Sequence, residues 1–402
     1  MPKKENKYQE LISRGVEQIV DKKNLLSALK SGKKLRVKLG FDPTGPKLHL
    51  GRAIVLWKLR AFQDLGHQIV FIMGDFTGQV GDASDKQDMR QGLSQEAIEE
   101  NLKNYKRQAA KILDIEKAEI HRNSEWLNKL SFKKFVEIAK HFTSQQMIQR
   151  RNFKERWDQG KPIGLHELTY PILQGYDSVM IKADIELGGY DQLFNLKIGR
   201  EMQRIFGQKP QDIMTTQMLY GLDGRKMSTS WGNVINLLDS PEEIYGRIMS
   251  MKDELIEDYF VLTSQLSLTR VKEIMKSLRN KEINPKEAKS ILAETIIELY
   301  YDRESAQAAK ENFERVFKER KLPEKIPIFK TKKKRMEILE LLTKTGLAKS
   351  RSEAKRLILQ GGITVIKKEK GSRLKDWQET VKLEEGMVFK GGKRKFVRIK
   401  II

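Results

Sequence analysis

The sequence predicts an α/β protein: a parallel-sheet domain, then a helical domain and a small basic α+β tail. Two observations carry this. An alternating segment, a segment of helical spacing and a short continuous apolar run follow one another between residues 35 and 73. The last fifth of the chain also has a composition of its own. Residues 321–402 hold 24 Lys and Arg against 9 Asp and Glu, a local balance of +15 in a chain of 402 residues and net charge +23.

Residues 5–30 read as a leading helix. Leu35, Val37 and Leu39 alternate with Arg36 and Lys38, as in a strand. A loop rich in glycine and proline follows, Gly40-Phe41-Asp42-Pro43-Thr44-Gly45-Pro46. Val55, Leu56, Leu59, Phe62 and Leu65 then recur at helical spacing, and Ile69-Val70-Phe71-Ile72-Met73 reads as a buried strand. Strand, loop, helix and strand make a βαβ unit of a parallel sheet. Residues 95–160 read as a charged helical insertion between two halves of the sheet, and 165–220 return to short apolar runs broken by glycine. The expected domains are 1–238 (the sheet, with its insertion), 239–320 (helical), a linker at 321–335 marked by Pro323 and Pro327, and a tail at 336–402.

The chain has no cysteine, which excludes disulfides, a thiolate nucleophile and cysteine-ligated metals. The start MPKKENKYQE lacks the apolar core of a signal peptide, and no apolar run approaches the ~18 residues of a membrane span. A cytoplasmic protein is expected. His67, His121, His141 and His166 show no metal-ligand spacing, so no metal site is expected. Tryptophans 57, 126, 157, 231 and 377 are expected in core or interfaces. The basic tail suits a polyanion such as nucleic acid, and equally a solvated face.

Two motifs carry chemistry. Leu48-His49-Leu50-Gly51-Arg52 runs from the first loop into a helix. A helix N-terminus offers unpaired N–H groups and a positive dipole end to an anion, and open α/β sheets bind ligands just past the strand ends. Gly40 and Gly51 allow close backbone approach, and His49 and Arg52 bring donors. A plain turn with a surface histidine has the same sequence. The second motif, Gly221-Leu222-Asp223-Gly224-Arg225-Lys226-Met227-Ser228-Thr229-Ser230, gathers glycines, two cations and three hydroxyls. Such a loop closes over a polyphosphate, where Lys226 neutralises developing charge; alone, it also reads as a solvated turn.

HLGR followed about 175 residues later by KMSTS resembles the HIGH and KMSKS motifs of class I aminoacyl-tRNA synthetases. The surrounding sequence is similar to that of the bacterial tyrosyl-tRNA synthetase family. The matching segments are Gly40 to Thr44, Gly74-Asp75-Phe76-Thr77-Gly78 with Gly81-Asp82, Tyr170-Pro171-Ile172-Leu173-Gln174-Gly175-Tyr176-Asp177, and Gly188-Gly189-Tyr190-Asp191-Gln192. They come in family order, and the likeness runs from about residue 5 to the end.

The resemblance implies a Rossmann-like catalytic domain, tyrosine, ATP and tRNA(Tyr) as partners, magnesium carried with ATP, and a homodimer formed through the inserted helical region. Tyr170, Gln174 and Asp177 are spaced to share one face if their segment is helical. By resemblance Asp177 accepts the substrate phenol, while Tyr170, Gln174 and Asp82 hold its ammonium with Gln192 close by. Gly40, Asp42, Gly189 and Asp191 surround the adenosine, and Thr44 and His49 face the phosphates. Lys86 and Arg90 join Lys226, Ser228 and Ser230 over pyrophosphate, with Arg52 in the first motif. Neither a protein nucleophile nor a strong general base is needed, because the attacking carboxylate is already ionised.

Arg52 departs from the second histidine of the first motif, and Thr229 from the second lysine of the other. Tyr190, Ala83 and Asp85 depart as well. They leave open a non-catalytic RNA-binding paralogue. A synthetase for another aromatic amino acid is the further alternative, against which Asp177 and the tail speak. The tail resembles the S4 RNA-binding domain. Ser350 and Glu353 form the pattern of a capping box, Arg351, Lys355 and Arg356 are the candidate RNA contacts, and Gly391-Gly392-Lys393-Arg394-Lys395-Phe396 fits a closing strand.

Overall fold

The computed structural model describes residues 2–82, 93–229, 231–317, 322, 326–367, 370–392 and 395–402. They form two compact units, Met1–Ser240 with Arg247–Arg303, and Pro241–Gly246 with Glu304–Ile402.

The leading segment is two helices around a strand: α1 (Pro2–Ser13), β1 (Val16–Val20) and α2 (Lys22–Lys30). The expected single helix breaks at Gly15, whose φ of +59° turns the chain. After it come β2 (Arg36–Phe41), α3 (Leu50–Asp64) and β3 (Gln68–Met73), the βαβ unit read from the sequence. The insertion holds α4 (Thr77–Val80), α5 (Gln95–Ala109), β4 (Glu119–Arg122), α6 (Ser124–Leu127), α7 (Phe132–Ala139), α8 (Ser144–Ile148) and α9 (Arg151–Asp158). It is therefore not wholly helical, because β4 pairs with β3. Next come α10 (Leu165–Met180), β5 (Ile185–Gly189), α11 (Leu193–Ile205) and β6 (Asp212–Thr216).

The sheet runs β1-β6-β5-β2-β3-β4, parallel except for β1, which is antiparallel to β6. Strand order reverses between β2 and β5, the switch point at which open α/β sheets leave a crevice past their carboxyl ends. Both faces are covered. Ile69 to Met73 are buried, and so are Val37, Lys38 and Leu39 in succession. The alternation at 35–39 thus does not mark a half-solvated strand: Lys38 is enclosed and paired with Glu186.

Helices α12 (Pro241–Met249), α13 (Ile256–Thr263), α14 (Leu268–Arg279), α15 (Pro285–Tyr300) and α16 (Arg303–Phe317) follow. Asn284 and Glu287 cap α15 reciprocally, and Pro285 occupies its first turn.

In the second unit, β7 (Ile328–Thr331) and β8 (Arg335–Glu337) precede α17 (Ile338–Lys344) and α18 (Arg351–Leu359). Then come β9 (Ile363–Lys367), β10 (Lys370–Arg373), β11 (Thr380–Lys382), β12 (Val388–Gly391) and β13 (Lys395–Ile401). Five strands make a sheet in the order β10-β9-β12-β13-β7, over a core that includes Ile338, Leu342, Ala354, Ile358, Ile363, Phe389 and Ile399. The stretch expected as a linker contains β7, which pairs in parallel with β13. The described residues of the run from Gly391 to Phe396 are not one strand: β12 ends at Gly391, Gly392 has φ +61°, and β13, antiparallel to β12, starts at Lys395. Lys393 and Arg394 lie outside the described residues.

Candidate functional site

The loop after β2 is held by its own side chains. Asp42 accepts from the Thr77 hydroxyl at 2.7 Å and from the Tyr170 phenol at 2.9 Å. Gly74 makes this approach possible. A Cβ there would stand 2.0 Å from Asp42 Oδ1 and 2.4 Å from Thr77 Oγ1. Burial and the neighbouring Asp42 push the Tyr170 phenol far up, so it stays a donor.

His49 precedes the first turn of α3, and its Nδ1 is enclosed without a hydrogen-bond partner among the described residues. Burial, and then the charge of Arg52, lowers its pKa to about 3, so the ring is neutral. Arg52 reaches back along the loop, donating to Thr44 Oγ1 at 2.6 Å and to the Tyr105 hydroxyl. The cation of the first motif is thus joined to a threonine expected at the phosphates.

The lysine loop meets this helix start. Leu50 N–H donates to the Ile235 carbonyl at 2.9 Å, and a Cβ on Gly51 would lie 3.0 Å from Met227 Sδ. Buried Asn233 clasps the loop: its amide donates to Asp223 Oδ1 (2.9 Å) and the Lys226 carbonyl (3.0 Å), and accepts from Ser228 N–H (2.8 Å). Arg225 pairs with Asp223 at 2.6 Å and lies over Trp231, while the Lys226 side chain is exposed. Lys86, Arg90 and Ser230, with the departures Ala83 and Asp85, lie outside the described residues.

Helix α10 brings Tyr170, Gln174 and Asp177 into a row, as their spacing predicts. Asp177 is 3% exposed. It accepts from Trp126 Nε1 at 2.8 Å and from Asn123 Nδ2 at 3.3 Å. Gln174 donates to Glu186 at 3.2 Å and accepts from Asn195 at 3.0 Å. Asn195 also donates to Gln192 Oε1 at 2.9 Å, and Gln192 donates to Asp82 at 2.8 Å. Asp82 is paired with buried Arg150 at 2.6 Å. Gly189 and Asp191 follow β5; a Cβ on Gly189 would stand 2.5 Å from Asp191 Oδ1. Tyr190 is exposed.

Sequence reasoning missed Trp126, Asn123, Asn195, Arg150 and Asn233. Asn123 and Trp126 follow β4 directly, at the same end of the sheet, but β4 was hidden in a segment read as helical. Among the described residues no group of three or more His, Cys, Asp or Glu is arranged to hold a metal ion, and no helix is long and apolar enough to cross a membrane.

In the second unit, Ser350 Oγ caps α18 by accepting from Glu353 N–H at 3.2 Å. The other half of the expected capping box is absent, because the Glu353 carboxylate accepts from Lys349 N–H instead. Arg351 pairs with Glu337, Lys355 Nζ lies 3.8 Å from the Trp377 ring centroid, and Arg356 is exposed.

The tRNA synthetases class I (W and Y) family matches residues 30–318, and the tyrosine–tRNA ligase SYY-like C-terminal domain matches residues 319–399. The tyrosine–tRNA ligase of Thermotoga maritima is 43% identical over 97% of this chain and 96% of its own length. The chain belongs to the class I tyrosine–tRNA ligase family. The Aquifex aeolicus tyrosine–tRNA ligase is 42% identical over 97% of each chain. Among solved structures, the Archaeoglobus fulgidus tyrosyl-tRNA synthetase complexed with L-tyrosine has a TM-score of 0.62 at 24% identity, covering 76% of this chain and 98% of that one. The Plasmodium falciparum tryptophanyl-tRNA synthetase follows at 0.59 and 18%, covering 76% and 89%. At those identities the likeness speaks for the fold alone; the sequence relatives place this chain among the tyrosine–tRNA ligases.

Proposed function

We propose that the protein activates tyrosine with ATP and transfers it to the 3′ end of tRNA(Tyr). The observation that carries the reading is Asp177, a buried carboxylate anchored by two donors at one end of the row formed with Tyr170 and Gln174. A substrate phenol supplies the donor that such an acceptor lacks in a merely apolar pocket. A phenylalanine ring there leaves the carboxylate one donor short of what tyrosine supplies; the handling of phenylalanine by this enzyme family is itself a known example of that logic.

In the first step the tyrosine carboxylate oxygen bonds to the α-phosphorus and the bond to pyrophosphate breaks. In the second, a terminal ribose hydroxyl of tRNA takes the tyrosyl carbonyl and AMP leaves. Tyr170, Gln174, Asp82 and Gln192 hold the ammonium end. Gly40, Asp42, Gly189 and Asp191 surround the adenosine. Thr44, His49 and Arg52 face the phosphates; the Arg52–Thr44 bond supports that grouping. Lys226, Ser228 and Ser230, with Lys86 and Arg90, follow the charge that grows on pyrophosphate. Magnesium enters with ATP.

Arg351, Lys355 and Arg356 of an S4-like tail meet RNA phosphates. The domains we propose are a catalytic one to 238, a helical one over 239–320 and an RNA-binding one from 336, to whose sheet β7 adds a strand. A homodimer through the inserted region is supported by its exposed Phe132 and Trp157. The expected compartment is the cytoplasm.

ATP–pyrophosphate exchange with tyrosine, phenylalanine and tryptophan tests the reading. Exchange with tyrosine alone is expected. Exchange driven by tryptophan, or none at all, replaces it with the other synthetase or the non-catalytic paralogue.

A further inference from the structure

Lys38 and Glu186 are register partners on the parallel strands β2 and β5, at the switch point of the sheet. Their side chains are 0% and 1% exposed, with Nζ 2.8 Å from Oε1. Glu186 is fully used. Oε1 also takes Gln174 Nε2 at 3.2 Å, and Oε2 takes the Ser178 hydroxyl at 3.1 Å and the Gln211 amide. Lys38 spends its other protons on Ser178 Oγ at 2.7 Å and on the Gln174 carbonyl at 2.9 Å. Replacing a buried ion pair by an apolar pair of the same volume is often neutral or stabilising. Stability alone therefore does not account for it.

Gln174 does. An amide offers an acceptor at one end and a donor at the other, and a substrate ammonium, a donor only, requires the oxygen. A carboxylate accepts only, so Glu186 admits just the Nε2 end of Gln174. The oxygen is left at the other end, where Asn195 donates to it at 3.0 Å while tying it to Gln192. Its second lone pair is open to an ammonium hydrogen. We propose that the buried Lys38–Glu186 pair is a positioning device of the amino-acid pocket, fixing the Gln174 amide with its oxygen toward the substrate ammonium. It makes the pocket select an α-amine over the same skeleton lacking it. The inference rests on reading Gln174 as an ammonium ligand.

Two variants of the full chain test it. Glu186→Gln replaces the acceptor with an amide that can turn either end toward Gln174. Lys38→Met/Glu186→Gln removes both charges and leaves no unpaired buried ion. The measurements are the dissociation constants of tyrosine and of its deamino analogue, hydroxyphenylpropionate, with the KM for ATP in tyrosine-dependent exchange. Both variants are expected to bind tyrosine about tenfold more weakly, the loss of one hydrogen bond to a charged group. The affinity for the analogue and the KM for ATP should stay within about twofold. A loosened fold would weaken both ligands alike. That outcome, or unchanged tyrosine affinity in the double variant, overturns the proposal and leaves the ligase reading standing. Should Glu186→Gln fail to fold, the double variant decides. A parent protein without tyrosine-dependent exchange overturns the ligase reading and this inference together.

Discussion

Enclosure pushes the Asp177 carboxyl up to about 7, against the nearby Lys38 charge and the Trp126 and Asn123 donors. Only the ionised form is a pure acceptor for a phenol, so tyrosine capture is weakened as pH falls through that value. kcat/KM for tyrosine reports groups of the free enzyme. It is expected to rise between about pH 6 and 8 with a midpoint near 7. His49, neutral down to about 3, contributes nothing to that limb. Asp177→Asn should flatten the limb and lower kcat/KM at least about tenfold; a profile unchanged in the variant assigns the titration elsewhere. On the proposed function, Lys226 acts in the other half of the chemistry. Lys226→Ala should slow adenylate formation by roughly 10²–10³ while leaving the dissociation constant of tyrosine in place. Stopped-flow measurement decides this, and a defect confined to tyrosine affinity removes the loop from the mechanism. Candidate residues stand out in the sequence where polar and glycine residues crowd a short window, as around His49 and Lys226. Lys38 does not, because its partner Glu186 is distant in sequence and a lysine in an alternating segment looks solvated.

At the level of elements, Gly74 shows how one missing Cβ shapes the crevice. The β2 loop and α4 interlock through Asp42 and Thr77 across the space that an alanine methyl would fill. Gly74→Ala should separate that pair and lower thermal stability by about 1–3 kcal/mol. It should also raise the KM for ATP; differential scanning calorimetry and exchange kinetics read the two effects. The βαβ unit was legible because its periods change at glycine- and proline-rich loops. β1, β4 and β7 were not. Each is four or five residues long and takes its conformation from a distant partner, β1 from β6 and β7 from β13. Short strands carry little local signal, so tertiary pairing overrides the helical look of 5–30 and the linker look of 321–335.

At the scale of the molecule, the family reading separates activation from RNA capture. Removing residues 322–402 takes away the basic sheet, β7 included. Exchange with tyrosine should persist, while tRNA charging falls and the salt dependence of tRNA binding becomes shallower as phosphate contacts are lost. Equal loss of both half-reactions would make the tail part of the catalytic fold. The antiparallel edge has a consequence in time. Val16 pairs with Thr216, two hundred residues further along. At the ~5–20 residues per second of translation, the β1 segment waits roughly 10–40 s on the ribosome for its partner. Through that interval the nascent chain carries a strand-forming segment with unanswered backbone N–H and C=O groups. Nascent chains halted before residue 216 should therefore engage chaperones more than chains halted after it.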